Sequence, residues 1–227
     1  MLKKLITLKN PKSRTAEAFR TLRTNIQFSS LDKVLKSIVV TSSGSGEGKS
    51  TVMANLAITM AESGMKVILV DCDLRKPSVH KKMGITNSVG LTNVLVQGVS
   101  KDDCLVKTDI NNLSVLTSGP VPPNPAELLG SKKMRDFIED LKKEYDLVLI
   151  DAPPVLAVTD AQILSTIVDG VIFVASYGEA QKNALVDAKN LIEKVGGKIL
   201  GIVFNKVPEA VSGYHGKYYK GYYGNEN

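Results

Sequence analysis

The chain of 227 residues has no tryptophan, two cysteines and two histidines, and aromatic residues make up only 5% of it. Cys72 and Cys104 are too few for a disulfide framework and lack the spacing of zinc ligands. His80 and His215 lie far apart in the sequence and have no neighbouring ligand residues, so neither indicates a metal site. These shortages exclude the disulfide-rich and zinc-dependent classes of protein.

Long apolar runs are also missing. No run approaches the roughly 18 to 20 residues that a membrane-spanning helix needs. Residues 1–10 contain lysines but not the continuous apolar stretch of a signal peptide. A composition of 43% hydrophobic and 23% charged residues is typical of a globular protein with a sizeable core. We therefore expect a cytoplasmic protein.

The net charge of +6 is unevenly distributed. Before the first predicted strand, only Glu17 and Asp32 oppose a series of basic residues: Lys3, Lys4, Lys9, Lys12, Arg14, Arg20, Arg23, Lys33 and Lys36. Such a segment could contact anionic lipid, nucleic acid or an acidic partner. It could equally be a solvated helix face.

From Lys36 onward, Val- and Ile-rich runs alternate with helical patterns, which predicts a doubly wound α/β fold with a mostly parallel sheet flanked by helices. The predicted strands are Ser37–Ser42, Lys66–Asp71, Leu113–Thr117, Leu147–Asp151, Gly170–Ala175 and Ile199–Asn205. The predicted helices are Lys49–Ser63, Pro125–Lys143, Asp160–Val168 and Gln181–Val195, preceded by an N-terminal helix over Ala16–Phe28. Residues 211–227 have no apolar periodicity and predict a flexible tail.

A glycine-rich loop, Ser43-Gly-Ser-Gly-Glu-Gly-Lys-Ser-Thr51, joins the first predicted strand to a helix, which is the context of a Walker A phosphate loop. Backbone amides and the helix N-terminus would surround nucleotide phosphates. Lys49 would neutralise the β and γ phosphates, Ser50 would ligate magnesium and Thr51 would lie next to the α phosphate. The remaining nucleotide-binding positions are Gly44, Ser45, Gly46, Glu47 and Gly48. Ser43 replaces the usual first glycine.

Carboxylates end two further predicted strands. Asp151 follows Leu147–Ile150 and predicts a Walker B residue that holds magnesium through water. Asp71 and Asp73 follow Val67–Val70 and give a second acidic pair beside the loop if both strands flank the first. ATP and Mg²⁺ are therefore the expected cofactors. Asp73 would assist Ser50 and Asp151 with the metal, Lys49 would stabilise transition-state charge, and Asp71 would act as base, although Asp73 could exchange roles with it.

The motif Asp71-x-Asp73-x-Arg75 resembles the Walker A′ element of the bacterial tyrosine kinase family, which is related to the MinD and ParA ATPases. Pro122–Leu129 is also similar to a segment of that family, and Glu17-x-x-Arg20-x-x-Arg23 resembles its N-terminal oligomerisation motif. Asn205 resembles an adenine-contacting asparagine, or it is a strand-end turn residue. Partition ATPases carry a signature lysine where this chain has Gly44, so the kinase interpretation is favoured over the partition one.

Five of the seven tyrosines lie in the predicted tail: Tyr214, Tyr218, Tyr219, Tyr222 and Tyr223. Alone, such a cluster could equally stack on nucleic acid. Considered together with the phosphate-loop motif, the cluster predicts sites of autophosphorylation, and the family resemblance implies the same. Extended chain from Lys206 to Tyr223 would span on the order of 55 Å, at roughly 3.3 Å per residue, and could reach a neighbouring subunit.

The resemblance implies a stand-alone cytoplasmic kinase that forms a homo-oligomeric ring and acts at the inner face of the membrane through a separate membrane activator. It also implies a role in capsule or exopolysaccharide synthesis, a cognate tyrosine phosphatase and no nucleic-acid partner. The expected segments are 1–35 for oligomerisation, 36–207 for the kinase domain and 208–227 for the tail. The alternative is a MinD- or ParA-like ATPase that positions DNA or protein.

Overall fold

A computed structural model describes residues 5–29 and 34–208, and helices alternate with strands along most of this length. The strands are β1 (Ser37–Ser42), β2 (Val67–Asp71), β3 (Leu105–Lys107), β4 (Leu113–Leu116), β5 (Leu147–Asp151), β6 (Gly170–Ser176) and β7 (Ile199–Asn205). The helices are α1 (Ile6–Lys9), α2 (Arg14–Phe28), α3 (Lys49–Glu62), α4 (Val79–Met83), α5 (Lys101–Cys104), α6 (Pro125–Leu129), α7 (Lys132–Glu144), α8 (Asp160–Ser165) and α9 (Lys182–Lys194).

The seven strands form one sheet in the order β3-β4-β2-β5-β1-β6-β7. All neighbouring pairs are parallel except β3 with β4. The strands β1, β2, β5 and β6 are buried along their whole length, as their continuous Val- and Ile-rich sequences predict for a parallel sheet covered on both faces. The expected doubly wound fold is therefore confirmed.

Each face of the sheet has its own hydrophobic core. On one face, α7, α8 and α9 contribute residues such as Phe137, Leu164 and Ile192. On the other face, α3 packs against the sheet and is buried on nearly all sides. An α-helix that is apolar all round needs cover on its outer side as well. The N-terminal helices supply that cover.

Helices α1 and α2 lie against α3, and Leu5 and Ile26 belong to the same core as α3. Three hydrogen bonds join these helices. The amide and hydroxyl of Thr7 donate hydrogen bonds of 3.1 and 3.0 Å to Oδ1 of Asn55, and Arg23 donates to the carbonyl of Thr59 at 3.3 Å. The predicted N-terminal helix is confirmed and begins two residues earlier, because the side chain of Ser13 caps it.

Two helix predictions were wrong in their bounds, and one strand was missed. The helix predicted over Pro125–Lys143 is two helices, because α6 ends at Leu129 and Ser131 caps α7 by accepting a hydrogen bond from the Met134 amide. The helix predicted over Asp160–Val168 ends at Ser165. The three-residue antiparallel strand β3 was not predicted, because so short a run carries no periodicity.

None of the helices within the described ranges is long and apolar enough to cross a membrane.

Gly90 tests the packing of the loop before the π-helical turn Asn93–Gln97 against the end of β4. A β-carbon at this position would lie 2.1 Å from the Thr117 carbonyl oxygen and 2.4 Å from the Gly119 nitrogen. Because both are backbone atoms, we expect Gly90→Ala to destabilise the protein by about 2 kcal/mol and to lower the Tm by roughly 4 to 8 °C. Gly201→Ala, where nothing lies within 4 Å, is the control. Equal Tm values for the two variants in thermal unfolding would contradict this packing.

Candidate active site

The glycine-rich loop connects β1 to α3 at the carboxyl edge of the sheet. Gly46 and Gly48 have φ angles of 81° and 93°, in the left-handed region that favours glycine. Gly48 also starts α3, and a β-carbon on it would lie 2.1 Å from Nδ2 of Asn205. The backbone of the loop therefore requires glycine at both positions. Gly46 and Gly48 have left-handed φ angles, and Gly48 also lies too close to Asn205 for a side chain.

The carboxylate of Glu47 holds the loop from inside. It accepts hydrogen bonds from the Ser43 hydroxyl at 2.7 Å, the Gly44 amide at 2.6 Å and the Ser176 amide at 3.2 Å. The side chain is 7% exposed. The sequence motif assigns only the backbone of Glu47 to phosphate binding, because an unspecified position in a loop motif gives no signal of an inward-facing side chain.

Asn205, at the end of β7, donates a hydrogen bond of 2.9 Å to the carbonyl of Glu47. The structure thus places it beside the phosphate loop, two strands away from the strand that precedes the loop. The sequence offered two interpretations, an adenine contact and a strand-end turn residue. The contact observed in this chain is with the loop itself.

Lys49, Ser50 and Thr51 form the first turn of α3. The Ser50 hydroxyl donates a hydrogen bond of 2.5 Å to Oδ2 of Asp151, which ends the neighbouring strand β5. Oδ1 of Asp151 is buried and has no hydrogen-bond partner among the described residues. Two predicted metal ligands are therefore in contact, and one carboxylate oxygen remains available to accept a hydrogen bond from metal-bound water.

Within residues 5–29 and 34–208, no group of three or more His, Cys, Asp or Glu side chains is arranged to hold a metal ion. Magnesium in nucleotide sites takes one or two protein ligands and completes its shell with phosphate oxygens and water. The paired Ser50 and Asp151, with a buried oxygen left over, fit a magnesium ion that binds together with a nucleotide.

Asp71 lies opposite Asp151 in the register of β2 and β5. The condition that both acidic strands flank β1 is not met, because β5 lies between β2 and β1. The carboxylate of Asp71 accepts hydrogen bonds from the backbone amides of Asp73 at 3.2 Å, Ser78 at 3.1 Å and Val79 at 3.0 Å. Asp71 therefore shapes the segment after β2 in addition to facing Asp151.

Burial, together with repulsion from neighbouring carboxylates, raises the pKa of both Asp71 and Asp151. Desolvation, followed by the charge of Asp151, raises the pKa of Asp71 to about 8. Desolvation also raises the pKa of Asp151 to about 6, although the Lys49 ammonium and the Ser50 hydroxyl oppose the shift. Such a site binds a divalent cation with relief of repulsion. Asp73 is buried too and accepts a 2.9 Å hydrogen bond from the Lys76 amide.

Arg75 forms a two-pronged ion pair with Asp160, the first residue of α8. Its Nε lies 2.9 Å from Oδ2 and its terminal nitrogen 3.0 Å from Oδ1. Asp160 is fully buried, whereas 39% of the Arg75 side chain is exposed. The contact ties the segment after β2 to the helix that follows Asp151. The partner of Arg75, Asp160, belongs to no sequence motif.

The three residues predicted to mediate oligomerisation lie on α2 and have partners inside the chain. Arg20 pairs with Glu17 at 2.7 Å and donates to the carbonyl of Pro11 at 2.7 Å. Arg23 points toward α3, as described above. All three side chains are half-buried. The five predicted phosphoacceptor tyrosines lie outside the described residues.

These features define a P-loop nucleotide-binding protein. They are a loop with left-handed glycines at a helix N-terminus, followed by Lys49 and Ser50, and carboxylates at the ends of nearby strands. Comparison with known proteins agrees: residues 35–199 match the family model described as AAA domain. The chain is 44% identical to the tyrosine-protein kinase YwqD of Bacillus subtilis over 227 residues, which is 100% of this chain and 94% of YwqD.

Solved structures lead to the same family. The crystal structure of the chimerical protein CapA2B2 matches with a TM-score of 0.87 and 42% identity, covering 90% of each chain. MinD of Pyrococcus horikoshii, solved with Mg-ADP, matches with a TM-score of 0.65 and 26% identity over 78% of this chain and 75% of its own. The chain belongs to the bacterial tyrosine kinase family, as its motifs predicted, and MinD is a relative in fold.

The buried carboxylates give a testable effect on stability. Because the folded protein keeps protons on Asp71 and Asp151 above the ordinary carboxyl value of 3.8, its stability falls as the pH rises from there toward about 8. Asp151→Asn removes one buried charge and its repulsion of the other. We expect the variant to raise the Tm of the nucleotide-free protein by roughly 2 to 4 °C at pH 8, and by less at pH 5.

Differential scanning calorimetry without metal measures this effect, with the exposed Asp187→Asn as control. The same variant should lose the additional Tm increase that Mg-ADP gives the unsubstituted protein. A Tm that falls at both pH values would show that the carboxylate stabilises the empty site.

Proposed function

We propose that this chain transfers the γ-phosphoryl group of ATP to tyrosines in its own C-terminal segment. The observation that carries the proposal is the contact of Ser50 with Asp151, beside Lys49 in a phosphate loop. The second oxygen of Asp151 is buried and has no partner within residues 5–29 and 34–208. Membership in a family of tyrosine kinases supports tyrosine as the acceptor. Five of the seven tyrosines of the chain lie in that segment.

The reaction requires little covalent chemistry from the protein. The tyrosine oxygen forms a bond to the γ phosphorus, the bond from that phosphorus to the β–γ bridging oxygen breaks, ADP leaves, and the phenol proton passes to a carboxylate. Loop amides and Lys49 would hold the phosphates, and Ser50 and Asp151 would hold magnesium with the help of Asp73. The magnesium ion would neutralise charge on the β and γ phosphates. Positioning and charge stabilisation then lower the barrier.

Asp71 is the proposed base, and Asp73 is the alternative. A phenol with a pKa of about 10 needs a carboxylate within hydrogen-bond reach. Asp71 lies beside Asp151 in register, but backbone amides already donate to both of its oxygens. For Asp73, by contrast, only one oxygen has a backbone contact in the structure, the hydrogen bond from the Lys76 amide.

The surface beside the phosphate loop is open to an acceptor tyrosine from a second subunit. An open depression lies next to the outer side of the loop, lined by Ser43, Gly44, Ser45, Leu156 and Gln181 among others. An acceptor segment of a second subunit could approach the loop from this side. We therefore propose that the tail of one subunit is phosphorylated by another.

Mixing two forms of the full-length protein tests activity and direction together. Unlabelled Lys49→Met protein is incubated with ¹⁵N-labelled unsubstituted protein, Mg²⁺ and ATP, and phosphate is mapped by mass spectrometry. We expect phosphate on tail tyrosines of the unlabelled chains, and none when Lys49→Met is incubated alone. Phosphate confined to labelled chains would restrict transfer to within one subunit. Unphosphorylated labelled chains would contradict the kinase proposal.

Phosphorylation of one subunit's tail by another requires an assembly, and we propose a ring of subunits built through Glu17, Arg20 and Arg23. The three residues follow one face of α2 at i, i+3 and i+6, and they are half-buried at the surface of the subunit. Five tail phosphates would add about −7 to −10 of charge, which would repel packed tails and dissolve the assembly.

Light scattering measures this assembly. We expect unphosphorylated protein to have a mass several times that of the subunit, and the Arg20→Ala, Arg23→Ala variant to be monomeric. Lys12→Ala, Arg14→Ala removes the same charge from exposed positions of the same region and should assemble normally. Thermal unfolding controls for the loss of the contact between Arg23 and Thr59. Equal monomeric masses for all three proteins would end the ring proposal.

The cellular setting is proposed from family membership. A separate membrane activator would bring the kinase to the inner face of the membrane, a tyrosine phosphatase would reverse the modification, and the system would regulate capsule or exopolysaccharide synthesis. The alternative, a MinD-like positioning ATPase, has less support. The match to MinD has lower identity and coverage than the match to YwqD.

A further inference from the structure

Ser78 occupies the position that starts α4, but its hydroxyl does not cap the helix. Serine at an N-cap position normally accepts a hydrogen bond from a backbone amide of the first turn, which stabilises a helix by about 1 kcal/mol. The Ser78 side chain makes no such bond, although its carbonyl accepts from the amides of Lys81 and Lys82. The hydroxyl has a different partner.

That partner is Ser50. The hydroxyl of Ser78 lies 2.6 Å from Oγ of Ser50 and donates to it, and Ser50 in turn donates to Asp151 at 2.5 Å. A serine hydroxyl has one hydrogen and two lone pairs. Donation to Asp151 uses the hydrogen of Ser50, and acceptance from Ser78 uses one lone pair. One lone pair remains for a metal ion, and its direction is fixed by the other two bonds.

The backbone at Ser78 is held independently of its hydroxyl. Asp71 accepts hydrogen bonds from the amides of Ser78 and Val79 with the same oxygen. The Ser78 hydroxyl can therefore be removed while the segment that carries it keeps its main anchor. A substitution that removes the hydroxyl therefore tests the side chain without releasing the backbone of the segment.

We propose that Ser78 is a positioning residue for magnesium, which it serves by orienting the hydroxyl of Ser50 toward the nucleotide phosphates. Groups that hold metal ligands in place commonly change metal affinity by tenfold or more when they are removed. The inference rests on the proposed nucleotide and magnesium site. It assigns Ser78 a role that its place in the sequence, 28 residues after Ser50, does not indicate.

The test is the magnesium dependence of ADP binding by the full-length protein, because ADP allows no phosphoryl transfer. A fluorescent ADP analogue is titrated in EDTA and then at increasing Mg²⁺. We expect Ser78→Ala to bind the analogue in EDTA within about twofold of the unsubstituted protein, and to need roughly tenfold more Mg²⁺ for half of the metal effect. Ser78→Thr keeps a hydroxyl and should need nearly the same Mg²⁺ concentration as the unsubstituted protein.

Ser88→Ala, the same change at an exposed serine after α4, is the matched control and should behave as the unsubstituted protein. Equal magnesium dependence of Ser78→Ala and the control would overturn the inference alone. An equal loss of binding with and without metal would also overturn it, because the hydroxyl would then merely support the segment. If the unsubstituted protein shows no magnesium-dependent binding, the proposed function itself fails.

Discussion

The buried carboxylate of Asp151 is the constraint around which the rest of the site is arranged. It ends β5, between the strand that leads into the phosphate loop and the strand that ends at Asp71. A charge in this place is costly unless it is paired or neutralised. One oxygen has the Ser50 hydroxyl as partner and the other has none among the described residues. A hydrated cation that binds with a nucleotide can supply the missing hydrogen bond and offset the buried charge of Asp151.

The loop is preformed by contacts that do not involve a nucleotide. Glu47 binds two groups of the loop and an amide at the end of β6, while Asn205 binds the loop from β7. Contacts from β6 and β7 therefore hold the loop that follows β1. A preformed loop loses less conformational entropy when phosphates bind, and preformed dipoles are what phosphoryl transfer chiefly requires. Rigidity in this region serves both binding and chemistry.

The central strands and the principal site residues could be predicted from the sequence because their signals are local. Apolar runs of Val and Ile define buried strands, and the loop motif fixes Lys49 and Ser50 by spacing alone. Contacts between distant segments could not be predicted. Ser78, Glu47 and the Arg75–Asp160 pair act through side chains whose neighbours are determined by strand order, which periodicity does not give. The break at Gly130 was missed because the two helices on either side continue one apolar pattern.

The contact of Asn205 with Glu47 has a practical consequence for handling the protein. Asn205 is the last residue of β7, so the chain leaves the sheet beside the phosphate loop. A dye attached next to Asn205 would report on that loop and would also crowd it. A dye on an exposed side chain of α7, which covers one face of the sheet, would leave the loop clear.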